Sequence, residues 1–321
     1  MSWCYTVAMS DTPQRTRRFY LRHLIAPVII LLLAGYIAYD VGDRFGTEQV
    51  SHFSHDSDHA VLVATAKLDN YRDLLYAGRA FVISSDTVTN TEWRTFYDQQ
   101  DVFNRYPGVS SIAYIQNVPT AELKTTEAML RSDEYFGPTY SLKQQSDRPT
   151  HGIARSYVSR SDLSNILGLD LFAQQNRYDV YHASETQNAV VASPPFKLAT
   201  GYDGFFSVLA ISRGGTTEGY VLTSFRFGDL MDKLFVDTSF GYRVTDITDT
   251  PRKIYENGYS TDVYHATHTI EVGGRKWSID ISRAAEKRPL GRFLPAVIVT
   301  TGILLAMSVY AFTVRPVRSK K

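Results

Sequence analysis

The sequence predicts an α+β fold that lies between two transmembrane helices. Three observations support this: an uncharged apolar run near each end of the 321 residues, a long helical periodicity directly after the first run, and short strands joined by glycine turns in the remainder. Hydrophobic residues make up 44% of the chain and aromatic residues 13%, which is enough apolar surface for a core and excludes a disordered protein.

The charge balance and the cysteine content exclude further classes. The 34 Lys and Arg residues nearly balance the 33 Asp and Glu residues, so the net charge of +1 provides no overall basic field for nucleic acid. Cys4 is the only cysteine, which excludes an intramolecular disulfide and a cysteine-rich zinc site. The true start is Met1 or Met9, and we expect Cys4 to be dispensable.

The first apolar run, residues 24–39, allows two interpretations. A cleaved signal peptide would use the three arginines upstream of the run as its positively charged segment. However, Tyr36 and Tyr39 disrupt the small-residue pattern that cleavage requires, and residues 19–21 lengthen the run toward the roughly 20 residues that span a bilayer. The sequence therefore favours an uncleaved transmembrane anchor.

The second run, residues 293–314, has 22 uncharged residues and is followed by a cluster of positive charges. A buried core helix does not usually end in such a cluster, so a second membrane span is favoured. Positive residues beside both runs place both termini in the cytoplasm by the positive-inside rule, although Lys287, Arg288 and Arg292 reduce the bias. The middle segment is therefore expected outside the cytoplasm, anchored in the cytoplasmic (inner) membrane by two spans.

Local patterns predict the helices and strands of the middle segment. Helical periodicity runs through residues 47–84, and Thr89 with Glu92 forms a capping box for a second helix. Pro119 begins a short helix, and Asp170 is expected to cap the helix that follows it. A further helix is expected at residues 227–235, and hairpin turns are expected at the glycine pairs 214–215 and 273–274. The strands are expected at residues 109–118, 153–158, 190–191, 204–211, 218–225, 242–248, 252–255, 264–272 and 276–281.

Motifs for catalysis are missing from the sequence: it has no nucleophile motif and no phosphate-binding loop. The most metal-like cluster is formed by His52, His55 and His59 with Asp56 and Asp58, and imidazoles four residues apart on a helix suit zinc or copper. A solvated polar face above the membrane explains the same residues, and we favour it. We therefore predict no metal and no cofactor, while a metal-dependent periplasmic enzyme stays an alternative.

Polar and aromatic residues near one strand end indicate a small-molecule pocket. Arg155, Tyr157 and Asp162 lie in or after the predicted strand 153–158. An ordinary core beside a solvated loop explains each of these residues equally well when it is taken alone. The hairpin strand expected to form the opposite wall contains Phe205, Phe206, Leu209 and Ile211.

Four segments of the chain, taken in order, resemble the CHASE family of extracytoplasmic sensor domains. They are YPGVSSIAYIQNV (106–118), NILGLDLF (165–172), HASETQNAVVASPPFKL (182–198) and GYVLTSFRFGDLMDKLF (219–235). Their order and spacing carry the resemblance, which covers residues 60–235 and continues more loosely to residue 285.

The resemblance implies a long stalk helix and two PAS-like antiparallel α/β units, of which the membrane-distal unit holds a small ligand. In plant members the ligand is a cytokinin held by an Asp after the middle strand, for which Asp162 is the nearest match. A family position with a small hydroxyl-bearing residue falls on Ala192, beside Ser193, and this departure argues against cytokinin itself. With the pocket described above, the predicted ligand-binding residues are Tyr157, Asp162, Ala192, Ser193, Phe206 and Leu209.

The resemblance also implies a sensor without catalysis, and we expect it to form a homodimer through its stalk. Family members usually continue after the second span into a histidine kinase or cyclase domain, so this chain is either a fragment or acts through a separate output protein. A membrane-anchored adaptor that binds a partner protein stays an alternative. The expected divisions are a cytoplasmic tail (1–20), a first transmembrane helix (21–41), the stalk helix (42–88), the membrane-distal unit (89–226), the membrane-proximal unit (227–290), a second transmembrane helix (293–314) and a cytoplasmic tail (315–321).

Overall fold

The computed structural model describes residues 14–143, 146–162, 167–237, 239–261, 264–284 and 289–314. Its helices and its two antiparallel sheets confirm the α+β fold class. The described residues do not include Cys4, Lys287, Arg288 or the predicted cytoplasmic tail at 315–321. The helices are α1 (Gln14–Ile83), α2 (Asn90–Gln99), α3 (Val102–Arg105), α4 (Leu123–Arg131), α5 (Gln175–Gln187), α6 (Phe227–Leu234) and α7 (Pro289–Val314). The strands are β1 (Val109–Pro119), β2 (Thr150–Ser159), β3 (Val191–Ala192), β4 (Phe196–Lys197), β5 (Asp203–Arg213), β6 (Thr216–Arg226), β7 (Gly241–Asp246), β8 (Arg252–Asn257), β9 (Tyr264–Val272) and β10 (Arg275–Arg283).

The chain forms two compact units, one of residues 54–284 and one that combines residues 1–53 with 285–321. In the second of these, α1 and α7 each contain a stretch that is long and apolar enough to cross a membrane. A Cβ added at Gly302 of α7 would lie 2.4 Å from the Cβ of Ala34 in α1. The two apolar helices therefore approach each other through small residues, as membrane helices commonly do.

The first sheet belongs to the unit of residues 54–284 and has the strand order β2-β1-β6-β5-β3, with β4 also paired to β5. The β5–β6 turn carries Gly214 and Gly215 at φ values of 59° and 83°, the left-handed conformation that a two-residue hairpin needs, which confirms the predicted turn. Strand β5 is buried along most of its length because both faces of the sheet are covered.

Helices α1 and α2 cover one face of the first sheet. The Tyr71 hydroxyl of α1 donates a hydrogen bond to the carbonyl of Pro107 at 2.6 Å. Trp93 of α2 is fully buried, and its indole nitrogen donates to the carbonyl of Ile112 in β1 at 3.4 Å. The opposite face of the sheet is left to α5 and the loops around it.

The second sheet has the strand order β8-β7-β10-β9 and forms the rest of this unit. Its central side chain is Trp277, which is almost completely buried. The Trp277 ring lies 5.4 Å from the ring of Phe205 in β5 and 6.0 Å from that of Phe227 in α6, measured between centroids. Trp277 therefore packs the second sheet against the first sheet and α6 in one apolar core.

The two predicted helix starts have different outcomes. The capping box of α2 is confirmed: the backbone N–H of Glu92 donates to the Thr89 hydroxyl at 3.2 Å, and that of Thr89 donates to the Glu92 carboxylate at 2.9 Å. The capping role of Asp170 is wrong, because α5 begins at Gln175 with Gln174 in the cap position. Asp170 lies too far upstream to reach the first turn of the helix, and its carboxylate is occupied elsewhere.

The capping box generates a prediction about stability. Thr89→Ala is expected to lower the free energy of unfolding by about 1 kcal/mol, because the first turn of α2 loses a side-chain acceptor. Urea unfolding of the full-length chain in detergent measures this, with Thr87→Ala, an exposed threonine just upstream, as the matched control. Equal stability of the two variants would contradict the capping role.

Candidate functional site

A cavity of about 350 Å³ lies on the face of the first sheet that α1 does not cover. Four small side chains on β1, β2 and β6 form part of its floor: Ser111, Ala113, Ala154 and Ser224. Protein interiors are packed about as densely as organic crystals, so a gap of this size depends on such a group of small residues. These small side chains therefore leave a gap over the middle of the sheet.

A β-bulge decides which residues of β2 face the cavity. The register between β1 and β2 shifts at Arg155, which the described register leaves opposite no residue of β1. Because the alternation resumes after the bulge, Ala154 and Tyr157 both line the cavity, although an uninterrupted strand would turn them to opposite faces. Arg155 lines a separate cleft with Arg213 and Glu218.

The walls of the cavity come from α5 and from two loops. Arg177 and Tyr181 lie four residues apart on α5 and therefore share one helix face. The loop before α5, residues 167–174, contributes three leucines and Gln174. The segment 196–200, which begins with β4, closes the remaining side.

A buried carboxylate fixes the loop before α5. Oδ2 of Asp170 accepts hydrogen bonds from the backbone N–H of Ser146 at 3.2 Å and from its hydroxyl at 2.8 Å, and it lies 2.8 Å from Nδ1 of His151. Oδ1 accepts from the backbone N–H groups of Gly152 at 3.1 Å and Phe172 at 2.9 Å. The carboxylate thus joins the loop to β2 and to the segment that precedes β2.

The same contacts set the ionisation of Asp170. Burial opposes the charged form, but hydrogen bonds from His151, Ser146 and the backbone of Phe172 outweigh it and hold the pKa of this carboxyl below its usual value. The partner side chain His151 is itself buried, with Nε2 at 3.1 Å from the hydroxyl of Thr120. Asp170 is therefore a structural anion beside the cavity.

The cavity lining has an uneven charge. Arg177 and Lys197 line it, whereas no carboxylate does so among the residues that the structure describes. The Arg177 guanidinium lies 5.2 Å from the centroid of the Phe196 ring. The Lys197 ammonium is exposed at the cavity mouth and lies 3.5 Å from the carbonyl of Gly201.

Two of the six predicted ligand-binding residues, Tyr157 and Phe206, line the cavity. Burial raises the pKa of the Tyr157 phenol above its usual value, so this side chain carries its proton at neutral pH. Phe206 is buried on β5 and packs against Tyr181 with ring centroids 5.9 Å apart.

The other four predicted residues lie outside the lining. Asp162 is exposed, and Leu209 lies on the opposite face of β5 because it is three residues from Phe206. The backbone N–H of Ala192 donates to the carbonyl of Gly273 at 2.8 Å. The Ser193 hydroxyl accepts from the backbone N–H of Phe206 at 3.1 Å. Direct contact of these four residues with a ligand stays a prediction.

Several lining residues, above all Arg177 and Tyr181, are not among the residues predicted from the sequence to bind a ligand. Their spacing on one helix face was a usable signal, but the polar composition of α5 gave no reason to place that face against the sheet. Gln174 and Thr200 come from loops, whose approach to the cavity depends on distant contacts.

Metal ligands do not assemble in the described residues. Within these ranges, no group of three or more His, Cys, Asp or Glu side chains is placed to hold a metal ion. His268 of β9 instead contacts the Ser57 hydroxyl at 3.3 Å and lies 3.6 Å from the carboxylate of Asp58.

Comparison with known proteins adds a family match. The family model of the CHASE domain matches residues 86–255. No curated protein sequence matches this chain. Among solved structures, the chain is similar to the ligand-binding domain of the Pseudomonas fluorescens chemoreceptor CtaA in complex with L-serine, with 11% identity, 74% of this chain and 98% of that chain covered, and a TM-score of 0.46. It is also similar to the ligand-binding domain of the Pseudomonas aeruginosa PAO1 amino acid chemoreceptor PctC in complex with GABA, with 13% identity, 71% and 98% coverage, and a TM-score of 0.44.

The buried carboxylate generates a prediction about pH dependence. Asp170→Asn is expected to lower the free energy of unfolding by about 1.5–3 kcal/mol near pH 7, because the buried donors around Asp170 lose a charged acceptor. The native pKa of Asp170 lies below the unfolded value of about 3.9, so its stabilisation is complete above that value and is lost as the pH falls through the native pKa.

Urea titrations of the full-length chain in detergent, at a series of pH values below about 5, measure this loss. The stability of the unmodified chain should fall more steeply than that of Asp170→Asn. Asp179→Asn, which removes an exposed carboxylate from α5, is the matched control and should keep the steep fall. Identical slopes for all three proteins would contradict the assignment.

Proposed function

The chain belongs to the CHASE domain family, since the matched range 86–255 covers half of its length, and on this premise we propose that it is a membrane-anchored sensor. Its cavity holds a small ligand, and ligand occupancy passes across the membrane to an output domain or a partner protein, without catalysis by this chain. The observation that carries the proposal is the cavity of about 350 Å³, which is lined within the matched range and is of the size that small ligands occupy.

We propose Tyr157 and Phe206 as ligand contacts, together with Tyr181. All three side chains line the cavity from different elements, β2, β5 and α5. A ligand that contacts all three side chains bridges α5 and the sheet. Such a ligand shifts the protein toward this arrangement only if it binds this arrangement more tightly than it binds other arrangements of α5 and the sheet. The bound ligand therefore changes how α5 packs against the sheet.

The proposed route to the membrane begins at the segment beside the cavity. Ser193 is hydrogen-bonded through both its backbone and its hydroxyl to the backbone of Phe206, which lines the cavity. The preceding N–H, that of Ala192, donates to Gly273 in the β9–β10 turn. Strand β10 ends at Arg283, and the chain then continues to the apolar helix α7. A displacement of the cavity wall is thus passed to the strand that precedes the second span.

Both apolar helices are proposed to cross the cytoplasmic membrane, with both termini in the cytoplasm and the unit of residues 54–284 outside it. The flanking positive charges and the extracytoplasmic family support this orientation. Residues 42–88 act as a stalk through which two copies associate, and the two sheets correspond to two PAS-like units.

Filling the cavity tests the ligand site. The full-length chain in detergent is screened against chemically diverse small molecules by the shift of its melting temperature, and the hits are titrated by calorimetry. Ala154→Phe places a ring in the cavity and is expected to weaken hits at least tenfold, about 1.4 kcal/mol. The matched control is Ala121→Phe, at an exposed alanine outside the lining, which should bind as the unmodified chain does.

Two results would count against the ligand site. Hits that bind Ala154→Phe with unchanged affinity would place the site elsewhere in the chain. A screen without any hit, on protein that unfolds cooperatively, would favour an adaptor that binds a partner protein.

Reporter fusions test the orientation. A reporter fused at residue 321 is expected to report the cytoplasm, and one inserted at residues 140–150 is expected to report the opposite side. A fusion at residue 40 truncates the chain after the first span and serves as an internal control, since it should report the outer side. Identical readouts from 321 and 140–150 would reject the two-span arrangement.

A further inference from the structure

We propose that the cavity binds a small, mainly apolar monocarboxylate whose charged end lies against Arg177. This inference names the ligand class and rests on the proposed function. It follows from the charge of the lining, from unpaired donors inside the cavity, and from the size and apolar character of the remaining walls.

The first argument is the state of Arg177. Its guanidinium carries five N–H donors in a planar fork, lies 5.2 Å from the ring centroid of Phe196, and acts electrostatically on the phenol of Tyr181. It forms no ion pair or side-chain hydrogen bond in this part of the chain, although the residue is half-buried. A guanidinium fork matches a carboxylate through two parallel hydrogen bonds, so it supplies the strongest recognition element in the lining.

The carboxylates near Arg177 in the chain or beside the lining already have hydrogen-bond partners. Asp170, next to the lining, accepts hydrogen bonds from Ser146, Gly152 and Phe172 and is paired with His151. Asp179, on the same helix as Arg177, is exposed and accepts a hydrogen bond from the amide of Gln175 at 2.6 Å. Glu185 accepts from the hydroxyls of Thr217 and Tyr220. The positive charge of Arg177 is therefore left for the ligand.

The cavity lining also contains neutral hydrogen-bond donors. The hydroxyl of Thr200 is buried and has no hydrogen-bond partner among the described residues. Tyr181 also lines the cavity, and burial raises the pKa of its phenol, so its hydroxyl keeps its proton at neutral pH and is a further donor. Buried donors without acceptors are costly, and a carboxylate with two oxygens offers acceptors to several of them.

The fourth argument is size and polarity. A volume of about 350 Å³ lies at the lower end of the range of small-molecule sites, which suits a small ligand. The sheet contributes apolar Ala113, Ile115, Phe206 and Leu222 to the lining, and the hydroxyls of Ser111 and Ser224 are hydrogen-bonded to each other. The body of the ligand is therefore aliphatic or aromatic. Of the two cations in the lining only Arg177 is half-buried, whereas Lys197 is exposed and stays hydrated, so the lining favours a single negative charge over a dianion.

Matched probes that differ only in charge test the inference on the full-length chain in nonionic detergent. The probes are 3-phenylpropionate, its neutral amide 3-phenylpropanamide, and the cation 3-phenylpropylamine, with octanoate and octanamide as an aliphatic pair. The carboxylates are expected to raise the melting temperature and to bind at least tenfold more tightly than their amides. Benzylmalonate, which is 3-phenylpropionate with a second carboxylate and is a dianion at neutral pH, should bind more weakly than 3-phenylpropionate.

Arg177→Gln should lower carboxylate affinity about tenfold to a hundredfold, the range for a hydrogen bond to a charged group, and should leave amide affinity unchanged within about threefold. Arg177→Lys should retain part of the preference for the carboxylate, since it keeps the charge but not the fork. Arg105→Gln removes an exposed arginine outside the lining and is the matched control.

Failure of this inference is distinguishable from failure of the proposed function. An amide or the amine that binds as tightly as the carboxylate, in a manner that Ala154→Phe abolishes, would overturn the ligand class and leave the sensor cavity standing. An unchanged preference in Arg177→Gln would overturn the role of Arg177. Absence of binding by every probe, in a chain that binds a hit from the diverse screen at the site that Ala154→Phe fills, would overturn the ligand class and leave the sensor cavity standing.

Discussion

The candidate site depends on the buried carboxylate of Asp170. A carboxylate that leaves water without partners is strongly destabilising, so the chain must bring donors to it. These donors come from Ser146, His151, Gly152 and Phe172, which lie before β2, within β2 and in the loop before α5. Once they are assembled, the loop of residues 167–174 is held over the sheet, and its leucines become a wall of the cavity. The contacts that stabilise the Asp170 carboxylate therefore also form this wall of the cavity.

The second constraint is the small volume of the side chains beneath that wall. Replacing Ala113, Ala154 or Ser224 by larger apolar residues would close the gap and gain packing, as a purely structural sheet would favour. The bulge at Arg155 adds to this, because it turns Tyr157 toward the same space as Ala154.

Local sequence patterns predict the helices and turns, whereas the candidate site depends on contacts between residues that are far apart in the sequence. The capping box at Thr89 and the glycine pairs at 214–215 and 273–274 act within a few residues, so they could be read from the sequence. The sequence around Asp170 wrongly predicts a helix cap, because the residues that Asp170 contacts lie up to 24 residues away and leave no local pattern. Leu209 was grouped with Phe206 although strand alternation separates residues three apart, and Arg177 was missed because α5 has no clear apolar face.

The proposed signal route must carry enough free energy to matter. Moving a two-state equilibrium from 1:99 to 99:1 takes about 5.5 kcal/mol of differential ligand affinity. The hydrogen bond between Ala192 and Gly273 contributes only about 0.5–1.5 kcal/mol net, so it cannot alone couple the cavity to the second sheet. The ring of Trp277 packs on Phe205 and Phe227, and burying such aromatic side chains involves several kcal/mol. Because Phe205 is adjacent to Phe206 on β5, we expect a displacement of the cavity floor to move both rings, and we propose the apolar contact at Trp277 as the element that transmits it.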